Sequence, residues 1–167
     1  MIFDTHAHYD DEQFDGDRDE LLKSMPDLGV GRIVDVSATY ESCEKVLALA
    51  GKYPHVYAAI GVHPDEVGEL NEDKIQHMKE LCCNKKVVAV GEIGLDYYWE
   101  KEERARARQQ VVFARQMELA RELIAAGRLD GVEIDHPRNT PEDKAELARL
   151  AKENGVGTVL DTAGQPF

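Results

Sequence analysis

Two histidines separated by one residue, His6 and His8, follow a short apolar segment at the start of the chain. If residues 1–5 form a strand, as Ile2 and Phe3 suggest, the side-chain period of two places both imidazoles on one face. Two neighbouring imidazoles are suited to a divalent metal ion. Chance spacing is the alternative, since the chain has six histidines in 167 residues. The position at a strand end favours the metal site, because α/β folds build their sites there.

Two further candidates follow later strands of the predicted order. His63 comes after the third predicted strand and Glu92 after the fourth. Because the carboxyl ends of parallel barrel strands converge on one face, His6, His8 and Glu92 could together hold a divalent ion with open positions. Such an ion lowers the pKa of bound water to about 7 and polarises a phosphoryl oxygen. Glu92 could also bridge two ions. His63 could bind a substrate phosphate or transfer a proton, or it could simply bond to the backbone.

Strand-like and helix-like segments alternate along the whole chain. The predicted strands cover residues 1–5, 31–37, 56–61, 87–92, 130–135 and 158–161. The predicted helices cover residues 18–28, 42–53 with Ser42 as the cap, 71–83, 101–125 and 140–154. This order predicts a parallel α/β sheet with right-handed crossovers. Because a full (β/α)₈ barrel has eight strands and about 250 residues, we expect a TIM-like barrel truncated to about six strands, in a single incomplete domain over residues 1–167.

The composition narrows the class of protein. A net charge of −13 argues against non-specific adhesion to nucleic acid or to an anionic membrane, although a bound metal can still bring positive charge to a phosphate. The three cysteines, Cys43, Cys82 and Cys83, form no CxxC pair, so we expect reduced thiols in a cytoplasmic protein. No apolar run approaches the ~18 residues of a membrane span, and no signal peptide is expected.

Several other side chains are weaker candidates. The aromatic residues 97–99 could stack on a base or cover the mouth of the barrel. Asp4 and Asp96 could orient the histidines. The three arginines within residues 104–108 are expected to pair with nearby glutamates on a solvated helix face, with phosphate binding as the alternative.

Four motifs, taken together, resemble the TatD family of metal-dependent deoxyribonucleases. They are Phe3-Asp-Thr-His-Ala-His8, Gly61-Val-His-Pro64, Gly91-Glu-Ile-Gly-Leu-Asp-Tyr-Tyr98, and the set Gln109, Phe113, Gln116, Leu119 and Ala120. The resemblance covers residues 1–123. It implies a TIM-like barrel that hydrolyses DNA ends or similar phosphodiesters, in the manner of a 3'-5' exonuclease, with one or two divalent ions (Zn, Mg or Mn) per site.

The resemblance also implies roles for the motif residues. His6, His8 and Glu92 correspond to metal ligands, and Glu92 belongs to the catalytic centre. His63 lies on the substrate side of that centre. An amidohydrolase of a small carbon–nitrogen substrate is a weaker alternative, because that superfamily also places an HxH motif on its first strand.

Beyond Leu123 the sequence departs from the TatD pattern. His136-Pro-Arg138 still fits the family's His-x-Arg sequence, so the resemblance makes His136 a further metal ligand and Arg138 a substrate contact. However, residues 129–143 resemble a segment of PHP-type phosphoesterases, which predicts a chimera joined near residues 124–128. An unusual, shortened TatD relative is the alternative.

A sheet that lacks its last strands leaves two open edges. We therefore expect association through these edges, as a homo-oligomer or with a partner chain that supplies the missing part. The alternative function is a non-catalytic truncated or chimeric barrel that still binds metal.

Overall fold

Strands and helices alternate in the structure, a computed structural model that describes residues 1–129, 131–133, 149, 152–153 and 158–159. The strands are β1 (Ile2–Ala7), β2 (Val30–Val36), β3 (Val56–Ala59), β4 (Val87–Val90), β5 (Gly131–Glu133) and β6 (Thr158–Val159). The described α-helices are α1 (Arg18–Ser24), α2 (Tyr40–Lys52), α3 (Glu72–Leu81) and α4 (Glu103–Ala125). Two short 3-10 helices, Glu12–Phe14 and Pro64–Glu69, were not predicted.

The six strands form one parallel sheet in the order of the sequence, β1-β2-β3-β4-β5-β6. Val36 lies beside Ala59 and Ala59 beside Ala89, so the carboxyl ends of β2, β3 and β4 meet at the same edge. Among the described residues β1 and β6 do not pair with each other. The expected parallel α/β fold with about six strands and an unclosed sheet is therefore confirmed.

Both faces of the sheet are apolar, which explains why its strands do not alternate between polar and apolar residues. The face toward the helices carries Ile33, Ala58 and Ile60, and the opposite face carries Val34, Val36 and Ala59. The helices bury Leu22, Val46, Met78, Phe113 and Met117 against the first of these faces. This packing holds in place the edge of the sheet at which the carboxyl ends of the strands meet.

The start of α2 differs from the prediction. Thr39, not Ser42, is the N-cap, because the Thr39 side chain accepts a hydrogen bond from the Ser42 backbone N–H at 3.0 Å. The Ser42 hydroxyl in turn accepts a bond from the Thr39 N–H at 3.0 Å, which completes a capping box. The N-cap therefore lies three residues before the predicted cap, Ser42.

The remaining predictions on the whole chain have mixed outcomes. All three cysteines are free, and Cys43 and Cys82 are buried. None of the helices in the described part of the chain has the length and apolar character needed to cross a bilayer. The predicted helix over residues 140–154 lies largely outside the described residues. The single domain and the homo-oligomer stay predictions.

Candidate metal centre

His6 and His8 meet at the carboxyl end of β1. The strand extends to Ala7, so His6 lies within it and His8 follows it directly. Their Nε2 atoms are 3.0 Å apart, and the rings meet edge to face with centroids separated by 4.8 Å. The shared orientation predicted from the spacing is therefore present.

The side chain of Glu92 lies between the histidines that follow β1 and β3. Its Oε2 atom lies 3.8 Å from Nε2 of His6 and 3.8 Å from Nε2 of His8. Its Oε1 atom lies 3.7 Å from Nε2 of His63. The four side chains that were predicted to converge are thus neighbours, and the two oxygens of one carboxylate face two different groups of ligands.

Backbone contacts hold both early histidines in place. The Nδ1 atom of His8 lies 2.9 Å from the carbonyl oxygen of Val36. When Nδ1 carries the proton and donates to this carbonyl, the Nε2 lone pair is directed at Glu92 and is available to a metal. Asp4, for which an orienting role was predicted, accepts a hydrogen bond from the backbone N–H of His6 at 3.2 Å.

A close approach of two glycines positions the Glu92 segment. A Cβ atom on Gly61 would lie 2.6 Å from the carbonyl carbon of Gly91 and 2.9 Å from the Glu92 nitrogen, so only glycine fits here. The buried Ser37 lies beside both segments. Its hydroxyl donates to Gly61 O at 2.8 Å, and its carbonyl accepts from the Glu92 N–H at 3.1 Å.

Two buried glutamines of α4 hold the loops that follow β3 and β4. Gln116 accepts a hydrogen bond from the Val62 N–H at 2.9 Å and donates to the Val62 carbonyl at 3.1 Å. Gln109, two turns earlier on the same helix, accepts from the Asp96 N–H at 2.9 Å. In the sequence they contributed only to the family resemblance. Their polar side chains on an apolar stripe, seven residues apart, were the available signal.

A second group of ligand atoms lies on the other side of Glu92. The side chains of His63, Asp65 and Asp96 each contribute one atom, and these atoms lie within 4.8 Å of one another. Partial burial raises the pKa of the Asp65 carboxyl, and the charge of the nearby His63 acts in the opposite direction. Sequence reasoning missed Asp65, although its position two residues after His63 repeats the HxH spacing. This group, with Oε1 of Glu92, offers the chemistry for a second cation.

Asp35 was also missed. It is fully buried on β2, and its Oδ1 accepts a hydrogen bond from the Tyr9 N–H at 2.6 Å, one residue after His8. Its Oδ2 atom has no hydrogen-bond partner among the described residues. Burial raises the pKa of this carboxyl to about 7, which the hydrogen bond from Tyr9 only partly offsets.

The donor set fits a divalent ion. Zinc–imidazole bonds are about 2.0–2.1 Å long, which places two nitrogens bound to one ion roughly 3 Å apart. The 3.0 Å separation of the two Nε2 atoms matches this spacing, and it equally matches a hydrogen bond between the rings. The group borders a cavity of about 520 Å³ that is also lined by Asp10, Thr39 and Lys45, so a ligand can reach it from solvent.

Two sets of predictions end differently. His136 and Arg138 lie outside the described residues, so their roles stay predictions. The predicted pairing with glutamates on a solvated helix face was wrong for two of the arginines. Arg106 donates to the carbonyls of Tyr97 and Glu100. Arg108 donates to the carbonyl of Leu70. A guanidinium has several donors, and here they bind the ends of neighbouring loops.

Comparisons with known proteins agree with this arrangement. A family model described as TatD related DNase matches residues 3–161. The uncharacterized metal-dependent hydrolase YabD of Bacillus subtilis is 34% identical over 160 residues, which are 96% of this chain and 60% of the relative. The 3'-5' ssDNA/RNA exonuclease TatD of Cronobacter sakazakii is 32% identical over 73% of this chain and 46% of the relative.

A solved structure shows the same fold. The crystal structure of YJJV, a TatD homolog from Escherichia coli K12, matches with a TM-score of 0.73 and 31% identity over 89% of this chain and 56% of that one. The TIM-like fold class is thereby confirmed. The chain spans about half to three fifths of the length of these relatives.

The same matches correct the prediction of a chimera. One family model runs through residues 124–128 to residue 161, and the Bacillus relative aligns across that junction as well. The PHP-like origin of residues 129–143 is therefore not supported.

Proposed function

We propose that this chain, which belongs to the TatD-related DNase family, is a metal-dependent phosphodiester hydrolase that degrades DNA as a 3'-5' exonuclease. The observation that carries the proposal is the convergence of His6, His8 and Glu92, with their ligand atoms within 4.8 Å of one another. An arrangement of two imidazoles and one carboxylate at the carboxyl ends of barrel strands is typical of metal-dependent hydrolases.

In this proposal His6, His8 and Glu92 hold a divalent ion (Zn, Mg or Mn), and His136 contributes a further ligand. A bound divalent ion supplies an activated water and a Lewis acid for the phosphoryl oxygen. The Val36 carbonyl keeps His8 in the tautomer that a metal requires, because it accepts from Nδ1.

His63 and Arg138 face the substrate in this proposal. His63 is positioned by its Nδ1, which accepts from the Asp65 backbone N–H at 3.3 Å, so Nε2 is the atom that faces Glu92. From there it can donate to a phosphate oxygen or transfer a proton to the leaving group. Arg138 would contact the substrate phosphate, as a planar guanidinium does well.

The names of the relatives support nucleic acid as the substrate class, but not all of them specify the reaction. Several carry the name 3'-5' ssDNA/RNA exonuclease TatD, and others are named only as metal-dependent hydrolases. Because the chain spans 60% of the Bacillus relative, a metal-binding barrel without turnover is the second candidate function.

One experiment separates the two functions. Single-stranded DNA labelled at the 5' end is incubated with the protein after EDTA treatment and again after addition of Mg²⁺, Mn²⁺ or Zn²⁺. We expect metal-dependent shortening from the 3' end, reduced about 100-fold or more in His6→Ala and Glu92→Gln.

His77→Ala is the matched control, because His77 lies on α3 and its Nδ1 atom is 2.9 Å from the hydroxyl of Tyr40, away from the centre. Hydrolysis that is equal in Glu92→Gln and wild type would contradict the proposal. Stoichiometric metal binding by His6 and Glu92 without any hydrolysis would instead establish the second candidate.

A further inference from the structure

We propose that Trp99, with the cavity beside it, forms a subsite that stacks on a nucleobase of the substrate next to the phosphate being cleaved. This inference rests on the proposed function and adds to it the place where the nucleic-acid strand is held. Four observations carry it: the exposure of the ring, the rigidity of its loop, the position of the cavity and the charge of its lining.

The aromatic pair in this loop is outside the hydrophobic core. Trp99 is 60% exposed and Tyr98 is 50% exposed. The two rings meet edge to face, with centroids 4.7 Å apart and an interplanar angle of 89°. Large exposed aromatic surface beside a polar site is typical of a binding surface. Of the two predictions for residues 97–99, stacking and covering the barrel mouth, this exposure favours stacking.

The backbone of the loop is held firmly, although the Trp99 ring is largely exposed. The backbone N–H of Trp99 donates to Oδ1 of Asp96 at 3.0 Å. The backbone N–H of Asp96 in turn donates to Oε1 of the buried Gln109 at 2.9 Å. Arg106 donates to the carbonyl of Glu100 at 2.8 Å and to that of Tyr97 at 3.0 Å. A ring presented on such a fixed loop loses little conformational freedom when it binds a ligand.

The cavity beside Trp99 shares Asp65 with the second group of ligand atoms next to Glu92. It has a volume of about 320 Å³, and Pro64, Asp65, Arg108 and Gln109 also line it. Asp65 lies 3.7 Å from His63, and His63 lies 3.7 Å from Glu92. A base in this cavity is therefore separated from the centre by one histidine, which suits a nucleotide whose phosphate is at the centre.

The lining favours a neutral ring over a phosphate. The acidic residues Asp65 and Glu100 border the cavity, and the guanidinium of Arg108 already donates to the Leu70 carbonyl. A phosphate would be repelled by the two carboxylates, whereas the face of a base would be attracted to the indole. Stacking of this kind tolerates any base sequence, as an exonuclease requires.

The chain offers a direct test, because Trp99 is its single tryptophan. The fluorescence of the wild-type protein is followed in EDTA, which prevents hydrolysis, during titration with oligothymidylate. An oligomer of the same length made of abasic residues serves as the reference ligand. We expect saturable quenching by oligothymidylate and none by the abasic oligomer at the same concentrations. Equal responses to both oligomers, or no response to either, would overturn the subsite.

Variants give a second readout. Trp99→Leu is expected to raise the KM for single-stranded DNA about tenfold, the equivalent of about 1.4 kcal/mol, and Trp99→Phe to raise it less. Phe3→Leu is the control, since Phe3 is 59% exposed and lies near the start of β1, the end opposite to the centre. An unchanged KM in Trp99→Leu would contradict the subsite.

Two further outcomes are distinguishable. Methyl p-nitrophenyl phosphate has no neighbouring nucleobase, so its metal-dependent cleavage by the wild-type protein tests the hydrolase alone. Cleavage of this ester without base-dependent quenching would leave the proposed function standing and reject the subsite. Emission that shifts with protein concentration, before any oligomer is added, would show that a second copy covers Trp99 and would also reject it.

Discussion

Gln116 and Val62 are joined by two hydrogen bonds, one to each polar atom of the Val62 backbone, at 2.9 and 3.1 Å. Val62 is the residue before His63, so the buried amide of Gln116 sets where the β3 loop delivers this histidine. The amide replaces a neighbouring strand at this point, because it offers one acceptor and one donor in the same plane.

Replacement of Gln116 by leucine should destabilise the protein and impair the centre. Leucine has a similar volume but leaves the N–H and the carbonyl of Val62 buried without partners, which costs about 1–3 kcal/mol. We expect this loss in the free energy of unfolding by urea, together with a lower rate of phosphodiester hydrolysis. Gln76→Leu is the control, because Gln76 is exposed and its side chain donates to the exposed Glu80. Equal stability of the two variants would argue against the role of Gln116.

The close approach of Gly61 to Gly91 predicts that alanine has opposite effects on stability at two glycines of this chain. Gly61→Ala places a Cβ 2.6–2.9 Å from backbone atoms of Gly91 and Glu92, so the segment after β4 must move. The protein should lose about 1–3 kcal/mol of stability and bind metal more weakly. Gly51→Ala, within α2 and with open space around it, should stabilise the protein by about 0.5–1 kcal/mol. Thermal unfolding measures both. A neutral Gly61→Ala would contradict the close approach.

The buried carboxyl of Asp35 predicts a dependence of stability on pH. Its pKa is about 7 in the folded chain and 3.8 in a model peptide, so the folded state holds the proton more tightly than the unfolded state does. The stabilisation is therefore complete below about pH 4 and is lost as the pH rises toward about 7, up to roughly 4 kcal/mol.

Asp35→Asn should flatten this part of the profile. Asparagine still offers an oxygen to the Tyr9 N–H but does not ionise, so the variant should exceed wild type in stability at and above neutral pH. Urea unfolding at several pH values measures the slope, and the exposed Asp27→Asn should keep the wild-type profile. A wild-type slope in Asp35→Asn would show that another group is responsible.

The sequence was informative where one residue type and one period decide the outcome. The spacing of His6 and His8 follows from the period of a strand, and the parallel sheet brings Glu92 to them without further information. Asp35 was not predictable in this way, because its role depends on complete burial and on a hydrogen bond from Tyr9, which is distant in the sequence. The exposure of Trp99 likewise depends on a hydrogen bond that Gln109 accepts from Asp96 and on bonds that Arg106 donates to the loop, which no local pattern reveals.

The central claim is that His6, His8 and Glu92 bind one ion together, and an anomalous-scattering map of crystals grown with Zn²⁺ tests it most directly. The account predicts a peak within about 2.0–2.2 Å of Nε2 of His6, Nε2 of His8 and Oε2 of Glu92, absent in crystals of Glu92→Gln. A map without a peak between these atoms, or with Glu92 turned away from both histidines, would contradict it.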